Sequence, residues 1–165
     1  PVGQAWLKAR QWAHAKHRLA MVQTAIQHEP RFVLDDCEVR RGGPSYTLDT
    51  VRELQAQRPG CEWFLIIGQD QYANLPTWQG WEELLSRVTL AVACRGDDAP
   101  RAPAALKGRH RLTRLPLPAL HVSSTEIRAH LNQGQPPTSL VPHWLSEPVA
   151  RYIANHQLYA SGAPR

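Results

Sequence analysis

The sequence lacks paired cysteines. Cys37, Cys61 and Cys94 are odd in number and far apart, and no CxxC occurs. This spacing argues against a disulfide framework and a zinc ribbon, and it fits a reducing compartment, the cytoplasm. Long apolar runs are missing as well. Nothing is long enough to span a bilayer, and no signal-peptide core stands near the start. A soluble protein with no membrane partner is expected. There is no internal repeat and no low-complexity block. The chain holds 8 histidines, but none are paired at metal-ligand spacing. His14, His17 and His28 lie in or beside a helix and are expected to be solvated or locally bonded.

What is present is ordinary globular composition. Of 165 residues, 42% are hydrophobic and 20% charged, which suits one domain over 1–165 with a single core. The formal charge of +5 raises the question of nucleic acid. The basic residues are scattered, however, as at Arg40, Arg41, Lys107, Arg109, Arg111 and Arg114. No helix-turn-helix, RNA-recognition or zinc-finger pattern accompanies them. A basic surface equally suits small polyanions, and no nucleic-acid partner is expected.

Helix and strand patterns alternate. Leu19, Val22 and Ile26 recur at helical spacing and predict a helix near 17–26, ended by Pro30. Phe32-Val33-Leu34 is a short strand candidate. Arg41-Gly42-Gly43-Pro44 reads as a loop. Thr47 or Asp49 can cap the next helix, with Leu48, Val51 and Leu54 on its inner face and Pro59-Gly60 at its end. Trp63 to Gly68 is an unbroken apolar run, expected to be a strand buried on both faces of a parallel sheet. A short helix and turn follow, then a helix at 81–85 and a second buried strand at 88–93. Residues 95–118, rich in proline, arginine and alanine, look like a surface excursion. A brief strand near 120–122 leads into a helix, and a last helix covers about 144–156. Strands separated by helices predict an α/β fold with a mainly parallel sheet.

Three stretches carry chemical meaning. Gly68-Gln69-Asp70 falls where a buried strand ends, and ligands of open α/β sheets bind beyond the carboxyl ends of the strands. Glycine admits a ligand close to the backbone, and a carboxylate accepts a hydrogen bond from a hydroxyl. The same residues also suit a plain strand–helix turn capped by Asp70. Ser123-Ser124-Thr125-Glu126 matches the capping box, so a helix starts there. Its N–H groups and dipole favour phosphate, with Arg128 one turn on. A well-capped helix with a surface arginine is the alternative. Leu75-Pro76-Thr77-Trp78 and Trp81 place indoles just after the Gly68 turn, where one is expected to pack inside and one to face a cleft.

Together, His17–Met21, Gly43-Pro44-Ser45-Tyr46-Thr47-Leu48-Asp49-Thr50, Phe64–Asp70, Leu75–Trp78, Val122–Arg128 and Leu158-Tyr159 resemble the bacterial nicotinate-nucleotide adenylyltransferase family, in family order. The resemblance implies a Rossmann-like nucleotidyltransferase fold. It also implies attack of nicotinate mononucleotide on the α-phosphate of ATP, with Mg²⁺ accompanying ATP. By the same resemblance, Trp78 stacks on the pyridine ring, and Thr47, beside Tyr46, holds its carboxylate. Gly68 and Asp70 line the nucleotide site. Ser123, Ser124, Thr125 and Arg128 form the phosphate-binding helix start, Arg95 lies near ATP, and Lys8 occupies a phosphate-facing basic position. Related acceptors are nicotinamide mononucleotide and a pantetheine phosphate. A catalytically silent nucleotide-binding fragment and a homo-oligomer both stay open.

The chain departs from the family at its start. The family opens with a strand and a Gly-x-Phe-x-Pro-x-His-x-x-His motif that contacts the ATP phosphates, and nothing like it occurs here. A leading segment on the order of thirty residues, the size of a βαβ unit, is expected to be absent. The 165 residues made alone are expected to be inactive and poorly stable.

Overall fold

The computed structural model describes residues 13–95, 98–108, 110–118 and 122–160. The chain divides into two compact units, Tyr46–Leu120 and the pair Pro1–Ser45 with His121–Arg165.

Unit Tyr46–Leu120 holds a three-stranded parallel sheet, so the α/β expectation holds. Strands β1 (Phe64–Gly68), β2 (Thr89–Arg95) and β3 (Leu112–Leu117) lie in that order. Phe64 pairs with Thr89 and Gly68 with Ala93, while Leu90 pairs with Leu112 and Arg95 with Leu117. Three helices accompany the sheet: α3 (Thr47–Gln57), α4 (Gln69–Asn74) and α5 (Trp81–Arg87). Alternation along the strands decides what each face does. Ile67, Leu90, Val92 and Cys94 join Leu48 and Val51 of α3, Tyr72 of α4 and Leu84 of α5 in one core.

The other face corrects the expectation for β1. Phe64 is 52% and Ile66 64% exposed, so this strand is buried on one face only among the described residues. The apolar run does not alternate, so it cannot signal that the helices of this unit cover a single face. β2 meets the expectation, being buried on nearly every residue from Thr89 to Cys94.

The surface excursion expected at 95–118 is also corrected. It contains β3 and a 3₁₀ turn at Ala104–Leu106 whose Leu106 is fully buried in the core. β3 carries Pro116, which a sheet tolerates at an edge, and β3 is the edge of the described sheet. The brief strand expected at 120–122 falls mainly on residues outside those described.

Helix α3 begins at Thr47, but its N-cap is Tyr46 and no side chain caps it. The expected capping by Thr47 or Asp49 therefore does not occur, since Thr47 already lies inside the helix. Gly80 caps α5 in the left-handed region at φ +67°, and a Cβ there would meet Leu48 Cδ2 at 2.4 Å. Both the backbone and the core resist a side chain. Gly80→Ala is expected to cost about 2 kcal/mol, read as a lower urea midpoint at unchanged slope.

The other unit is helical: α1 (Ala15–Ile26), α2 (Cys37–Arg41), α6 (Ser124–Asn132) and α7 (Glu147–Asn155). Phe32–Leu34 is coil rather than a strand, with Phe32 and Val33 exposed. Leu131, Leu140 and Ile153 form the core, joined by Met21, Val149, Leu158 and Tyr159. Helix α7 starts at Glu147, three residues later than expected. Pro148 sits in its first turn, where a missing N–H costs nothing. His14 is locally bonded, as expected, accepting from Lys16 N, whereas His17 Nδ1 lies 3.0 Å from Tyr152 Oη, a contact between distant parts of the sequence.

Candidate active site

A cleft of about 610 Å³ opens at the carboxyl ends of all three strands. Gly68 ends β1, and Gln69 and Asp70 begin α4 directly after it. Ala93 and Cys94 of β2 and Leu117 of β3 floor the cleft, and Asp98, Ala99 and Arg101 form a wall. This is where ligands of parallel sheets bind, because loops diverge there and leave a crevice. The candidate pair Gly68 and Asp70 is thus brought together at the lining.

Gly68 has φ −78° and ψ 164°, extended backbone that any residue adopts. A Cβ at Gly68 would meet nothing within 4 Å. A side chain at Gly68 would therefore extend into free space beside the cleft. Asp70 is exposed and gives no capping bond, Gly68 being the N-cap of α4. Its carboxylate is left to the cleft. Arg95 is the last residue of β2, in register with Leu117, so its backbone stands at the same strand ends.

Two further contacts hold the region in shape. Tyr72 of α4 is fully buried, and its hydroxyl meets His110 Nε2 at 2.8 Å. His110 Nδ1 lies 2.9 Å from the Leu106 carbonyl, so Nδ1 carries the proton and Nε2 accepts from Tyr72. Burial pushes the Tyr72 phenol up, which keeps it a donor. Gln69 Nε2 donates to the Arg101 carbonyl and Gln69 Oε1 accepts from Arg101 N, both at 3.0 Å.

The remaining candidates of this unit stand apart from the cleft lining. Tyr46 and Thr47 sit at the start of α3, Tyr46 exposed and Thr47 half-buried. Trp78 closes the 3₁₀ turn Leu75–Thr77, its N–H donating to the Leu75 carbonyl. Both Trp78 and Trp81 are half-buried and pack against the core. The expected division, one inside and one on the cleft, is not found at this cleft, since neither indole lines it.

In the helical unit, Ser123 caps α6. Its Oγ accepts from Glu126 N at 3.2 Å and donates to Glu126 Oε2 at 2.7 Å. The capping-box expectation is met in this form. Ser123, Ser124 and Thr125 are exposed on the first turn, and Arg128 lies one turn on. Burial raises the Tyr159 phenol, opposed by the positive charge of Arg128 and Arg18. Lys8 lies outside the described residues. Asp98 and Arg101 carry no sequence signal of their own, and Gln69 has only its place between Gly68 and Asp70.

The Cytidylyltransferase-like family matches residues 1–130. A protein of Methylibium petroleiphilum named "Probable nicotinate-nucleotide adenylyltransferase" is 52% identical over 97% of this chain and 76% of its own length. Its namesake in Albidiferax ferrireducens is 45% identical over 96% of this chain and 80% of its own. The Plasmodium falciparum nicotinic acid mononucleotide adenylyltransferase complexed with NaAD superposes at a TM-score of 0.69 with 18% identity, over 91% of this chain and 76% of that one. At that identity the likeness concerns the fold, a Rossmann-like nucleotidyltransferase fold. Among the described residues, no helix is long and apolar enough to cross a membrane. The chain belongs to the nicotinate-nucleotide adenylyltransferase family, within the cytidylyltransferase-like nucleotidyltransferases.

Proposed function

We propose that the protein transfers the adenylyl group of MgATP to nicotinate mononucleotide, giving nicotinate adenine dinucleotide and pyrophosphate. The observation that carries this reading is the cleft at the strand ends, with Gly68 and Asp70 in its lining, in a chain of this family. A phosphate oxygen of the mononucleotide attacks the α-phosphorus. The bond from that phosphorus to the bridging oxygen breaks, and pyrophosphate departs with the electron pair. No covalent intermediate with the protein is needed, so the work is positioning and charge neutralisation.

Each residue takes a modest part. Gly68 lets the nucleotide lie against the backbone, and Asp70 accepts a hydrogen bond from one of its hydroxyls. The exposed start of α6, with Ser123, Ser124, Thr125 and Arg128, holds phosphate oxygens through N–H groups, hydroxyls and one cation. Arg95 serves ATP, and Lys8 adds a basic group toward the phosphates. Trp78 offers an indole to the pyridine ring, Thr47 helps hold its carboxylate, and Tyr46 beside it contacts the mononucleotide. Magnesium enters as the counter-ion of ATP, which suits its habit of keeping waters and phosphate oxygens as ligands. Three free cysteines, Cys37, Cys61 and Cys94, support a cytoplasmic setting.

The test is chromatography of the products formed from MgATP with each of three acceptors: nicotinate mononucleotide, nicotinamide mononucleotide and pantetheine phosphate. It is run on this chain alone and on the same chain joined to the opening segment of a relative, where turnover is expected. Nicotinate adenine dinucleotide is expected as the main product, favoured by about tenfold or more in kcat/KM because a site built to bond a carboxylate discriminates against an acceptor that lacks it. Preferred turnover of another acceptor contradicts the assignment of Thr47 to a carboxylate.

A further inference from the structure

We propose that Gln69 is a positioning residue, a latch whose carboxamide fixes the backbone of Arg101 so that the Arg101 guanidinium faces the polyphosphate of ATP. The proposal rests on the adenylyl-transfer reading for its ligand, though not for its geometry.

A carboxamide carries a donor and an acceptor side by side. Gln69 therefore exchanges two hydrogen bonds, both of 3.0 Å, with the N–H and C=O of one residue, Arg101. This is the pattern of a hydrogen-bonded pair in an antiparallel ladder, supplied here by a side chain. Glutamate lacks the donor and lysine lacks the acceptor. The held segment has little else to fix it. Residues 98–103 form no helix or strand, and Pro100 and Pro103 have no N–H to give a ladder. Firm packing begins only at Ala102 and Leu106, which join the core.

The position of the latch gives it a functional consequence. Gln69 follows Gly68 at the end of β1, so the bonds tie the wall of the cleft directly to the strand end that lines it. Asp70 and Asp98 also line the cleft, and two carboxylates repel a polyanion. Arg101 is the one basic residue among the described residues that line it. Among the described residues its guanidinium forms no ion pair, and it carries a fixed charge and five donors. A guanidinium on an unfixed coil would lose much of its benefit to the entropy of ordering that coil.

Three variants of the full chain test this: Q69L, R101Q and the double variant. Binding of a non-hydrolysable methylene analogue of MgATP is measured by calorimetry, and tryptic cleavage after Arg101 is followed by mass spectrometry in Q69L. Q69L is expected to weaken binding by about tenfold and to speed that cleavage by about tenfold, with the urea midpoint nearly unchanged. R101Q is expected to match that loss, and the double variant to be no weaker than R101Q, because both act through one contact. KM for nicotinate mononucleotide stays level in both single variants. Losses that multiply in the double variant overturn the latch, as does unchanged cleavage in Q69L. A wild-type protein that binds no analogue overturns the adenylyl-transfer reading and the ligand assigned here, whatever the cleavage shows.

Discussion

Gly68→Val is expected to lower kcat/KM for adenylyl transfer by about 100-fold or more, because a displaced substrate forfeits most of the benefit of orientation. Its folding stability is expected to change by no more than about 1 kcal/mol, the cost of a poorer N-cap. The separation follows from the geometry. The backbone at Gly68 is extended, with φ −78°, which a β-branched residue favours. A Cβ there meets no protein atom within 4 Å, so the added methyls occupy open space where Gly68 lines the cleft. Gly68→Ala is expected to fall between wild type and Gly68→Val. Steady-state kinetics beside a urea melt checks both halves. Full activity in Gly68→Val means that the nucleotide does not approach this backbone.

Leu106→Ala is expected to cost about 3 kcal/mol, within the usual range for truncating a buried leucine. The residue comes from a connection that reads as a surface loop, yet its side chain is fully buried and belongs to the core cluster that includes Tyr72, Leu84 and Val92. Its removal leaves a cavity beneath the turn that leads to His110. His110 in turn bonds Tyr72 on the helix that carries Asp70. The melting temperature is expected to drop by about 6–12 °C. A change below about 1 kcal/mol contradicts the placement of Leu106 in the core.

These two residues mark what the sequence made legible. Gly68 was readable because a continuous apolar run followed by Gly-x-Asp places a ligand-ready turn at a strand end, and the cleft is there. The Ser123 capping box was readable for a similar local reason, since its partners are three residues apart. Leu106 was not readable. It stands alone between Pro103 and Gly108 without periodicity, and only the tertiary position of β2 and α4 gives it something to pack against. β3 was hidden for a related reason, because Arg114 and Pro116 depress the strand signal while register with β2 supplies it. The exposed face of β1 shows the opposite failure. Phe64 and Ile66 satisfy the apolar pattern, which carries no information about which face is covered. The Gln69–Arg101 latch joins residues 32 apart, a separation at which no local pattern operates.

Photolabelling with azido-ATP and Mg²⁺, followed by peptide mass mapping, tests the placement of the nucleotide most directly, and it does not depend on turnover. Modification is expected on peptides containing Gly68–Gln71 or residues 98–101, the strand end and wall that line the cleft, and excess ATP should suppress it. Label that ATP displaces from other peptides while these stay unmodified contradicts the assignment of the nucleotide to this cleft.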